Sequence, residues 1–276
     1  MNKIDFAVIM SCYHCNPNGD PNNGNMPRTD LDGYGYITDV CLKRKIRNRL
    51  QDMGQEILLK TNDRADDGFY SIKSRSDPYI KGIKDNDEVM RIVCEKWIDA
   101  RSFGQVLAFK GNGNRDGVSL GIRGPVTIQM AVSTEPVMIT YDTITKSLNS
   151  EDTDKENLLK KGKDTIGIKS WIDKASYVTY GTISSFYAKK TGFNEADAEL
   201  IKKALCTLFE NDASVARPSG SMNVQEVYWW KHNCELGQYN SAKVHHSLNV
   251  EYMEEYPYYK AHMEPLEGLI PEIIRP

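Results

Sequence analysis

The feature that most constrains the fold is a long loop between a strand pattern and a helix pattern near the start of the sequence. Residues 16–30 contain five asparagines, three prolines and two glycines, a composition that predicts neither helix nor strand. The preceding residues 3–11 (KIDFAVIMS) are mostly β-branched or large apolar side chains, which predicts a central strand. After the loop, Thr38 or Asp39 can cap a helix. The apolar side chains of this helix recur at helical spacing and are Leu42, Ile46, Leu50 and Met53.

The rest of the sequence alternates between strand and helix patterns. Asn194 can cap a second amphipathic helix, and residues 147–164 are polar between runs that can pair as a long protruding hairpin. Residues 54–90 are irregular and mixed in charge, which is typical of an insertion. Strand-like runs cover residues 118–133, 176–189, 224–232 and 243–252. The order strand, helix, strands, helix, strands predicts an α+β fold with helices on one face of an antiparallel sheet.

The total charge argues against nucleic-acid binding, but the distribution of charge along the chain does not. The 276 residues include 35 Lys and Arg and 38 Asp and Glu, a net charge of −3, whereas nucleic-acid-binding proteins usually carry a basic excess. Residues 251–276 hold six of the acids and two of the bases, so the remainder has 33 bases and 32 acids. The bases of the first helix lie in a stretch without acids, from Val40 to Gln51, and are Lys43, Arg44, Lys45, Arg47 and Arg49.

The sequence predicts a soluble cytoplasmic protein with reduced thiols. No apolar run reaches the ~18–20 residues that span a bilayer, so we expect no membrane partner. The apolar patch from Phe6 to Met10 lacks a following cleavage pattern and is typical of a buried strand, not of a signal peptide. Six cysteines spread over so long a chain do not suggest a disulfide framework, which favours a reducing compartment.

The loop at residues 16–30 predicts a phosphate-binding site. Glycine and asparagine reach left-handed backbone angles, which turn successive N–H groups inward around an anion. The loop leads into a helix N-terminus, which also favours phosphate, and the bases of that helix begin within one turn. Arg123 between glycines and Arg217 in the segment 217–221 (RPSGS) offer further cations beside bare backbone, which suggests one extended phosphate track. The alternatives are a solvated loop, a salt-bridged helix and arginines paired with carboxylates.

Other motifs lack the spacing that their chemistry requires. The loop misses the calcium-binding pattern, because Gly24 occupies the fifth position counted from Asp20. Cys12 and Cys15 form a C-x-x-C motif without the second pair that zinc needs, so we interpret them as core or loop cysteines and expect no metal. Residues 117–121 match G-x-S-x-G, but a strand pattern follows where a nucleophile elbow requires a helix.

Aromatic side chains late in the sequence have two possible roles. They can stack on nucleobases, or they can fill the core, which is the more usual arrangement where aromatics alternate along a strand. These side chains are Tyr228, Trp229, Trp230, Tyr256, Tyr258 and Tyr259.

Several segments together resemble a known family, and the resemblance spans residues 4–250. The segments are NPNGDP from Asn16, GN at Gly24, PRTD from Pro27, TDVCLKRKIR from Thr38, DARSFGQV from Asp99, GIRGPV from Gly121 and ARPSG from Ala216. With them, the chain resembles the CRISPR-associated Cas-seven family, in its type I-C (Csd-two) branch.

The resemblance implies a non-enzymatic backbone subunit of an antiviral Cascade surveillance complex. Such subunits have an RNA-recognition-motif-like (ferredoxin-like) palm in a single domain, here residues 1–276, with a finger insertion at 54–115 and a thumb hairpin at 134–175. Copies stack head-to-tail along the CRISPR guide RNA through sequence-independent sugar–phosphate contacts and form a helical filament. The guide is thereby presented for pairing with target DNA, and other Cascade subunits cap the ends. No cofactor is implied.

The resemblance also places RNA contacts on matching positions of this sequence. They are Asn16, Asn18, Arg28, Thr29, Lys43, Lys45, Arg47, Arg123, Arg217, Ser219, Gly220 and Ser221. The aromatic pattern of ordinary RNA-recognition motifs is absent, so we do not expect RNA across the sheet face. Two alternatives stay open. One is a metal-dependent endoribonuclease acting on CRISPR RNA through Asp20, Asp30 or Asp39, and the other is a protein-interaction module that uses the acidic residues 251–276.

Overall fold

The computed structural model describes residues 1–109, 118–145 and 166–276. The glycine-rich stretch 110–117 and the polar tip of the predicted hairpin lie outside the described residues. The strands are β1 (Ile4–Cys15), β2 (Gly19–Asp20), β3 (Met26–Pro27), β4 (Tyr34–Ile37), β5 (Gly104–Phe109), β6 (Val118–Arg123), β7 (Val126–Ile128), β8 (Ala131–Pro136), β9 (Ile139–Thr145), β10 (Ile166–Ile183), β11 (Met222–Lys231), β12 (Leu248–Tyr252), β13 (Tyr259–Met263) and β14 (Glu272–Ile274). The helices are α1 (Asp39–Asp52), α2 (Ile72–Ile80), α3 (Asn86–Lys96), α4 (Ile98–Phe103), α5 (Ser185–Thr191), α6 (Glu195–Cys206) and α7 (Ser241–His246), with a 3₁₀ turn at Asn62–Arg64. None of the helices within these described ranges combines the length and the apolar character needed to cross a bilayer.

An antiparallel sheet forms the centre of the fold, with strands in the order β14-β11-β1-β10-β8-β4. β1 lies between β10 and β11 and is antiparallel to both. β7 and β9 pair with other parts of β10. Ile166–Ile172, the first part of β10, pairs with β9 as a two-stranded arm, and all of it except Ile172 extends beyond the pairing with β1. This pairing confirms the base of the predicted hairpin.

Two amphipathic helices cover one face of this sheet. Thr38 caps α1 by accepting a hydrogen bond from the N–H of Cys41, and Asn194 caps α6 by accepting one from the N–H of Ala196 (2.8 Å). Both caps are the ones that the sequence predicts. The core between these helices and the sheet includes Phe6, Val8, Met10, Leu42, Ile46, Leu50, Ile201 and Leu205.

The opposite face of the sheet is covered by the C-terminal part of the chain. Ala7 and Ile9 of β1 alternate with the helix-facing residues and pack with Trp230 and Val244. Because both faces are covered, the first nine residues of β1 are all buried, as the apolar run predicts. The acidic residues 251–276 include β13, which pairs with β12, and β14, which pairs with β11 at the sheet edge. The acidic segment is therefore part of this fold.

A second, smaller hydrophobic cluster lies within residues 54–123. It forms where α2, α3 and α4 pack with the hairpin of β5 and β6. Its buried members are Leu58, Ile80, Val89, Val93, Cys94, Trp97, Ala100, Leu107 and Ile122. We call this group the second cluster.

Four sequence predictions of secondary structure are wrong in detail. Residues 54–90, predicted to be irregular, contain α2, which begins at a capping box on Ser71. The strand predicted over 176–189 gives way to α5, and the strand predicted over 243–252 begins as α7. A helix forms at α7 because it is capped: the side chain of Asn240 accepts a hydrogen bond from a helix N–H (2.8 Å). The loop before α1 also contains the two-residue strands β2 and β3.

Candidate nucleic-acid interface

Three segments that the sequence marks for phosphate binding meet at the end of β1. The N–H of Asn16 donates to the carbonyl of Ala216 (2.8 Å), and the N–H of Tyr13 donates to the carbonyl of Ser221 (2.8 Å). The side-chain oxygen of Asn18 accepts from the N–H of Thr38, the cap of α1 (3.0 Å). These bonds hold the loop 16–30, the start of α1 and the segment 212–221 together. We call this meeting point the loop junction.

The loop itself is a tight hairpin. Gly19 in β2 lies opposite Pro27 in β3. Gly24 (φ +56°) and Asn25 (φ +59°) adopt the left-handed backbone that the sequence predicts. The Asn25 carbonyl accepts a hydrogen bond from the side-chain amide of Asn16 (2.7 Å), so Asn16 links the start of the loop to the turn of the hairpin.

Two of the predicted RNA contacts share one carboxylate. Lys45 is almost fully buried and donates to Asp212, to which Nε of Arg217 also donates at 3.0 Å. Burial lowers the pKa of Lys45, and the negative charge of Asp212 opposes that change. The charges of Lys45 and Asp212 therefore compensate each other, and Arg217 supplies the excess positive charge of this trio.

The other two predicted contacts on α1 have intramolecular partners as well. Nε of Arg47 donates to the carboxylate of Asp99 (3.0 Å), and its guanidinium lies 4.9 Å from the centre of the Phe103 ring. Lys43 pairs with Asp39 at 3.0 Å on the helix surface. The alternative of a salt-bridged helix thus describes these side chains, and their contact with RNA stays a prediction.

Several polar atoms at the loop junction are buried without a hydrogen-bond partner in the described part of the chain. They include Oδ1 of Asn16, Nε of Arg28 and Oγ of Ser221, while Nη2 of Arg28 lies 3.4 Å from Asp20. Buried polar atoms in folded proteins nearly always have a partner. Three such atoms lie on residues predicted to contact RNA, and Thr61, Ser102 and Thr134 carry the others in the described part of the chain.

A cleft of about 350 Å³ opens beside the segment 217–221. Ser219 and Gly220 are among the residues that line it, and Gly220 has a left-handed backbone (φ +79°). The lining also includes the end of α6 and the residues that follow it, up to Asp212. The cleft therefore exposes main-chain and hydroxyl groups next to the guanidinium of Arg217.

Two predicted contacts take no part in these bonds. Thr29 forms an antiparallel β-bridge with Gly35 of β4. Arg123 ends β6, next to the second cluster, and its guanidinium lies 4.3 Å from the centre of the Tyr187 ring.

The three carboxylates of the nuclease hypothesis each have a local structural partner. Asp20 accepts from a main-chain N–H of its hairpin (3.1 Å), Asp30 accepts from the N–H of Tyr34 (2.8 Å), and Asp39 pairs with Lys43. Within the residues that the structure describes, no group of three or more His, Cys, Asp or Glu side chains is placed to hold a metal ion.

The C-x-x-C cysteines lie under the loop junction. Their Sγ atoms are 3.2 Å apart, and Sγ of Cys15 donates to the carbonyl of Ser221 (3.5 Å). The hydrogen bond between them lowers the pKa of Cys15 and raises that of Cys12 well above its usual value. Both side chains are buried, which confirms their interpretation as core or loop cysteines.

Sequence reasoning misses the acids that pair with the basic residues of α1. Asp212 lies 167 residues from Lys45, and Asp99 lies 52 residues from Arg47, so no local spacing links either pair. The one signal in the sequence is that Asp99 opens one of the segments that carry the family resemblance.

Sequence comparison places the chain among CRISPR-associated proteins. The sequence model of the family described as CRISPR-associated protein Cas7 matches residues 2–264. The CRISPR-associated protein Cas7 of Haloferax volcanii is 29% identical over 219 residues, which are 72% of this chain and 62% of that protein. The chain therefore spans less than two thirds of the length of this relative.

Solved structures show weaker likeness. A chain of a CRISPR RNA-guided surveillance complex has a TM-score of 0.42 and 16% identity, over 83% of this chain and 69% of that one. A chain of a pre-nicking CRISPR RNA-guided surveillance complex has a TM-score of 0.47 and 15% identity, over 87% of this chain and 82% of that one. A chain of the type III-B Cmr-beta complex bound to cognate target RNA has a TM-score of 0.42 and 12% identity, over 83% of this chain and 61% of that one. The match of the family's sequence model to residues 2–264 is by contrast nearly full-length, and it shows that this chain belongs to the CRISPR-associated Cas7 family.

Proposed function

We propose that this chain is a guide-RNA-binding backbone subunit of a type I-C Cascade surveillance complex in the cytoplasm. Copies stack head-to-tail along the CRISPR guide RNA and present it for pairing with target DNA, and other Cascade subunits bind the ends. The subunit itself does not cleave RNA. Family membership supports this function. The observation that carries the RNA site is the set of buried, unpartnered polar atoms at the loop junction.

The sheet supports an RNA-recognition-motif-like (ferredoxin-like) palm for the proposed subunit. Along the chain the elements run β1, α1, β8, β10, α6, β11, and in the sheet these strands stand in the order β11-β1-β10-β8. This is a β-α-β-β-α-β arrangement with both helices on one face. We assign the finger to residues 54–115, which include most of the second cluster, and the thumb to residues 134–175, whose base is the arm of β9 and β10.

In the proposed subunit, RNA binds at the loop junction and not across the sheet. The sheet face opposite the helices is packed against the C-terminal part of the chain, with Val244 and Leu248 in its core. At the junction, main-chain groups of the segment 217–221 and the guanidinium of Arg217 are the kinds of group that hold phosphates without reading sequence. Sequence recognition is then left to base pairing, as in other RNA-guided complexes.

The salt dependence of RNA binding tests this site. We expect Arg217→Gln to weaken binding to two unrelated single-stranded RNAs equally, measured by fluorescence anisotropy at several salt concentrations. The slope of log affinity against log salt should fall by about 0.7, because the variant neutralises one phosphate fewer. Lys231→Gln is the matched control, because Lys231 is an exposed base paired with Glu195 on another part of the surface.

The control should leave both affinity and slope unchanged. A weakening confined to one RNA sequence, or an unchanged slope for Arg217→Gln, would contradict the proposed contact. Incubating labelled RNA with the wild type and Mg²⁺, with and without a chelator, tests the absence of cleavage. Chelator-sensitive cleavage that disappears in Asp20→Ala, Asp30→Ala or Asp39→Ala would instead favour the endoribonuclease.

A further inference from the structure

We propose that an exposed group of aromatic side chains at the end of β1 stacks on an unpaired nucleobase of the bound RNA. The group consists of Tyr13, His14, Tyr256 and Tyr258, and we call it the aromatic shelf. The proposal rests on the proposed function, because it names a second contact for RNA held at the loop junction.

Three members of the aromatic shelf are exposed, namely Tyr13, His14 and Tyr256, and Tyr258 is half-buried. After nine buried residues, β1 turns Tyr13 (52% exposed) and His14 outward, and Tyr256 beside them is 63% exposed. Trp229 and Trp230 are buried in the core instead. Exposed apolar side chains that occur singly need no explanation, but a contiguous group of them marks a binding surface.

The rings of the aromatic shelf are held in a fixed arrangement. Tyr13 and Tyr258 are nearly parallel, with an interplanar angle of 15° and centroids 6.4 Å apart. Tyr256 stands edge-on to Tyr258 at 5.7 Å. The Tyr256 hydroxyl accepts a hydrogen bond from Nε2 of Gln225 (2.9 Å). These contacts hold the exposed ring of Tyr13 in place, and a base can stack on its open surface.

Backbone strain concentrates at the same place. In the described part of the chain, four residues other than glycine have positive φ. Asn25, Asn211 and His14 (φ +46°) are of residue types that are enriched in this conformation, whereas Tyr258 (φ +70°) has a bulky side chain that rarely adopts it. Strained conformations of this kind cluster at functional sites. Tyr258 belongs to the aromatic shelf.

The position of the aromatic shelf favours a nucleic acid over a protein. Nζ of Lys174 lies 5.9 Å from the centre of the Tyr258 ring, but Lys174 is paired with Glu254 (2.7 Å) and adds no free positive charge. The N–H of Tyr13 donates to the carbonyl of Ser221, so the shelf continues directly into the loop junction. Aromatic faces next to a site for the sugar–phosphate backbone are a combination by which proteins hold single strands without reading their sequence.

The experiment compares two ligands that differ only in their bases. Affinities are measured by fluorescence anisotropy for an oligouridylate long enough to hold several subunits and for an abasic ribose–phosphate strand of the same length. We expect Tyr13→Leu and Tyr256→Leu to weaken oligouridylate binding roughly 5- to 160-fold for each stacked base and to leave abasic-strand binding unchanged. Tyr13→Phe keeps the ring and should retain wild-type affinity. Tyr70→Leu is the matched control, because Tyr70 is another exposed tyrosine (69%) that lies outside the shelf.

Four results would overturn the inference. Equal weakening on both ligands would show that the tyrosines act on the backbone or on folding, and unchanged affinity for oligouridylate would show that they do not stack. A change in self-association of the RNA-free Leu variants, measured by sedimentation, would assign the aromatic shelf to a protein contact. Failure of the wild type to bind either ligand would overturn the proposed function and this inference with it, whereas the first three results leave the proposed function standing.

Discussion

Replacing Asp99 with alanine tests whether one buried carboxylate joins α1 to the second cluster. Asp99 is fully buried near the start of α4. Its Oδ1 accepts from the N–H of Leu58 (2.7 Å), and its Oδ2 accepts from the N–H of Leu59 (3.1 Å) and from Nε of Arg47 (3.0 Å). Three donors from two parts of the fold therefore depend on a single side chain.

The expected loss of stability is large because these donors lie in the interior. Removing one partner of a buried ion pair costs about 3–5 kcal/mol, and each stranded backbone N–H adds about 1–3 kcal/mol. Relaxation around neighbouring groups makes such costs less than additive, so we expect Asp99→Ala to lower the free energy of unfolding by about 4–6 kcal/mol. That is a large share of the ~5–15 kcal/mol that stabilises a typical domain.

Urea unfolding followed by tryptophan fluorescence measures this loss, because Trp97 lies in the second cluster. Asp99→Asn keeps one acceptor without the charge and should fall between alanine and the wild type. Asp39→Ala is the control: it breaks the surface pair with Lys43, which is worth at most about 1 kcal/mol. A loss below about 1 kcal/mol for Asp99→Ala would refute the reasoning, since even one stranded N–H costs that much.

Arg47→Met separates the structural and the RNA-binding roles of Arg47. Methionine keeps an apolar side chain against Phe103 but leaves Asp99 without its guanidinium. If Arg47 serves Asp99 alone, stability falls while the salt slope of RNA binding is unchanged. A slope reduced by about 0.7 would show a phosphate contact at this residue instead.

Two further predictions concern packing and pH. Gly124→Ala should cost about 1–3 kcal/mol, because its Cβ would lie 2.3 Å from the Ser102 carbonyl oxygen, whereas Gly121→Ala meets nothing within 4 Å and should be near neutral. Stability should fall as pH drops below about 6.5, because burial holds the pKa of His245 below its usual 6.5 and the unfolded chain takes up that proton first. A further loss of stability is expected below about pH 3.8. Burial alone would raise the pKa of Asp5, but hydrogen bonds to its carboxylate, led by the one from Thr182, outweigh burial and hold the pKa below 3.8.

Thermal unfolding checks both predictions. Equal melting temperatures for the two glycine variants would contradict the close approach at Gly124. His245→Gln should flatten the decline between neutral pH and pH 5 or so. An unchanged decline in that variant would show that another group is responsible.

The parts of the fold that sequence predicts are those decided locally. β1 follows from an unbroken apolar run, and α1 and α6 follow from a capping residue and helical spacing, with caps at Thr38 and Asn194. Predicted boundaries of strands and helices are wrong where one sequence pattern continues past the point at which the structural element ends. Apolar and aromatic residues run on past Ile183, although the chain turns there into α5.

The candidate site is predictable in its segments but not in its bonds. Glycine and asparagine, which reach left-handed backbone angles, mark the loop 16–30. The segment 217–221 is marked by an arginine beside bare backbone. The partners of the basic residues are a property of the folded chain, because Asp212 meets Lys45 only once α1 and the segment after α6 pack side by side. Sequence therefore shows where cations lie, and the structure shows which of them are already neutralised.

That neutralisation bears on how the proposed subunit holds RNA. Lys43, Lys45 and Arg47 each face a carboxylate, so the basic stretch of α1 contributes less attraction for phosphate than its composition suggests. A single subunit with one excess cation at the loop junction gains little from counterion release, since affinity for single strands grows with the number of phosphates neutralised. Subunits that contact both the RNA and one another bind the next copy at a high effective concentration, and the affinities multiply along the strand. A net charge of −3 is then compatible with firm binding, provided that the grip belongs to the row of subunits and not to each subunit alone.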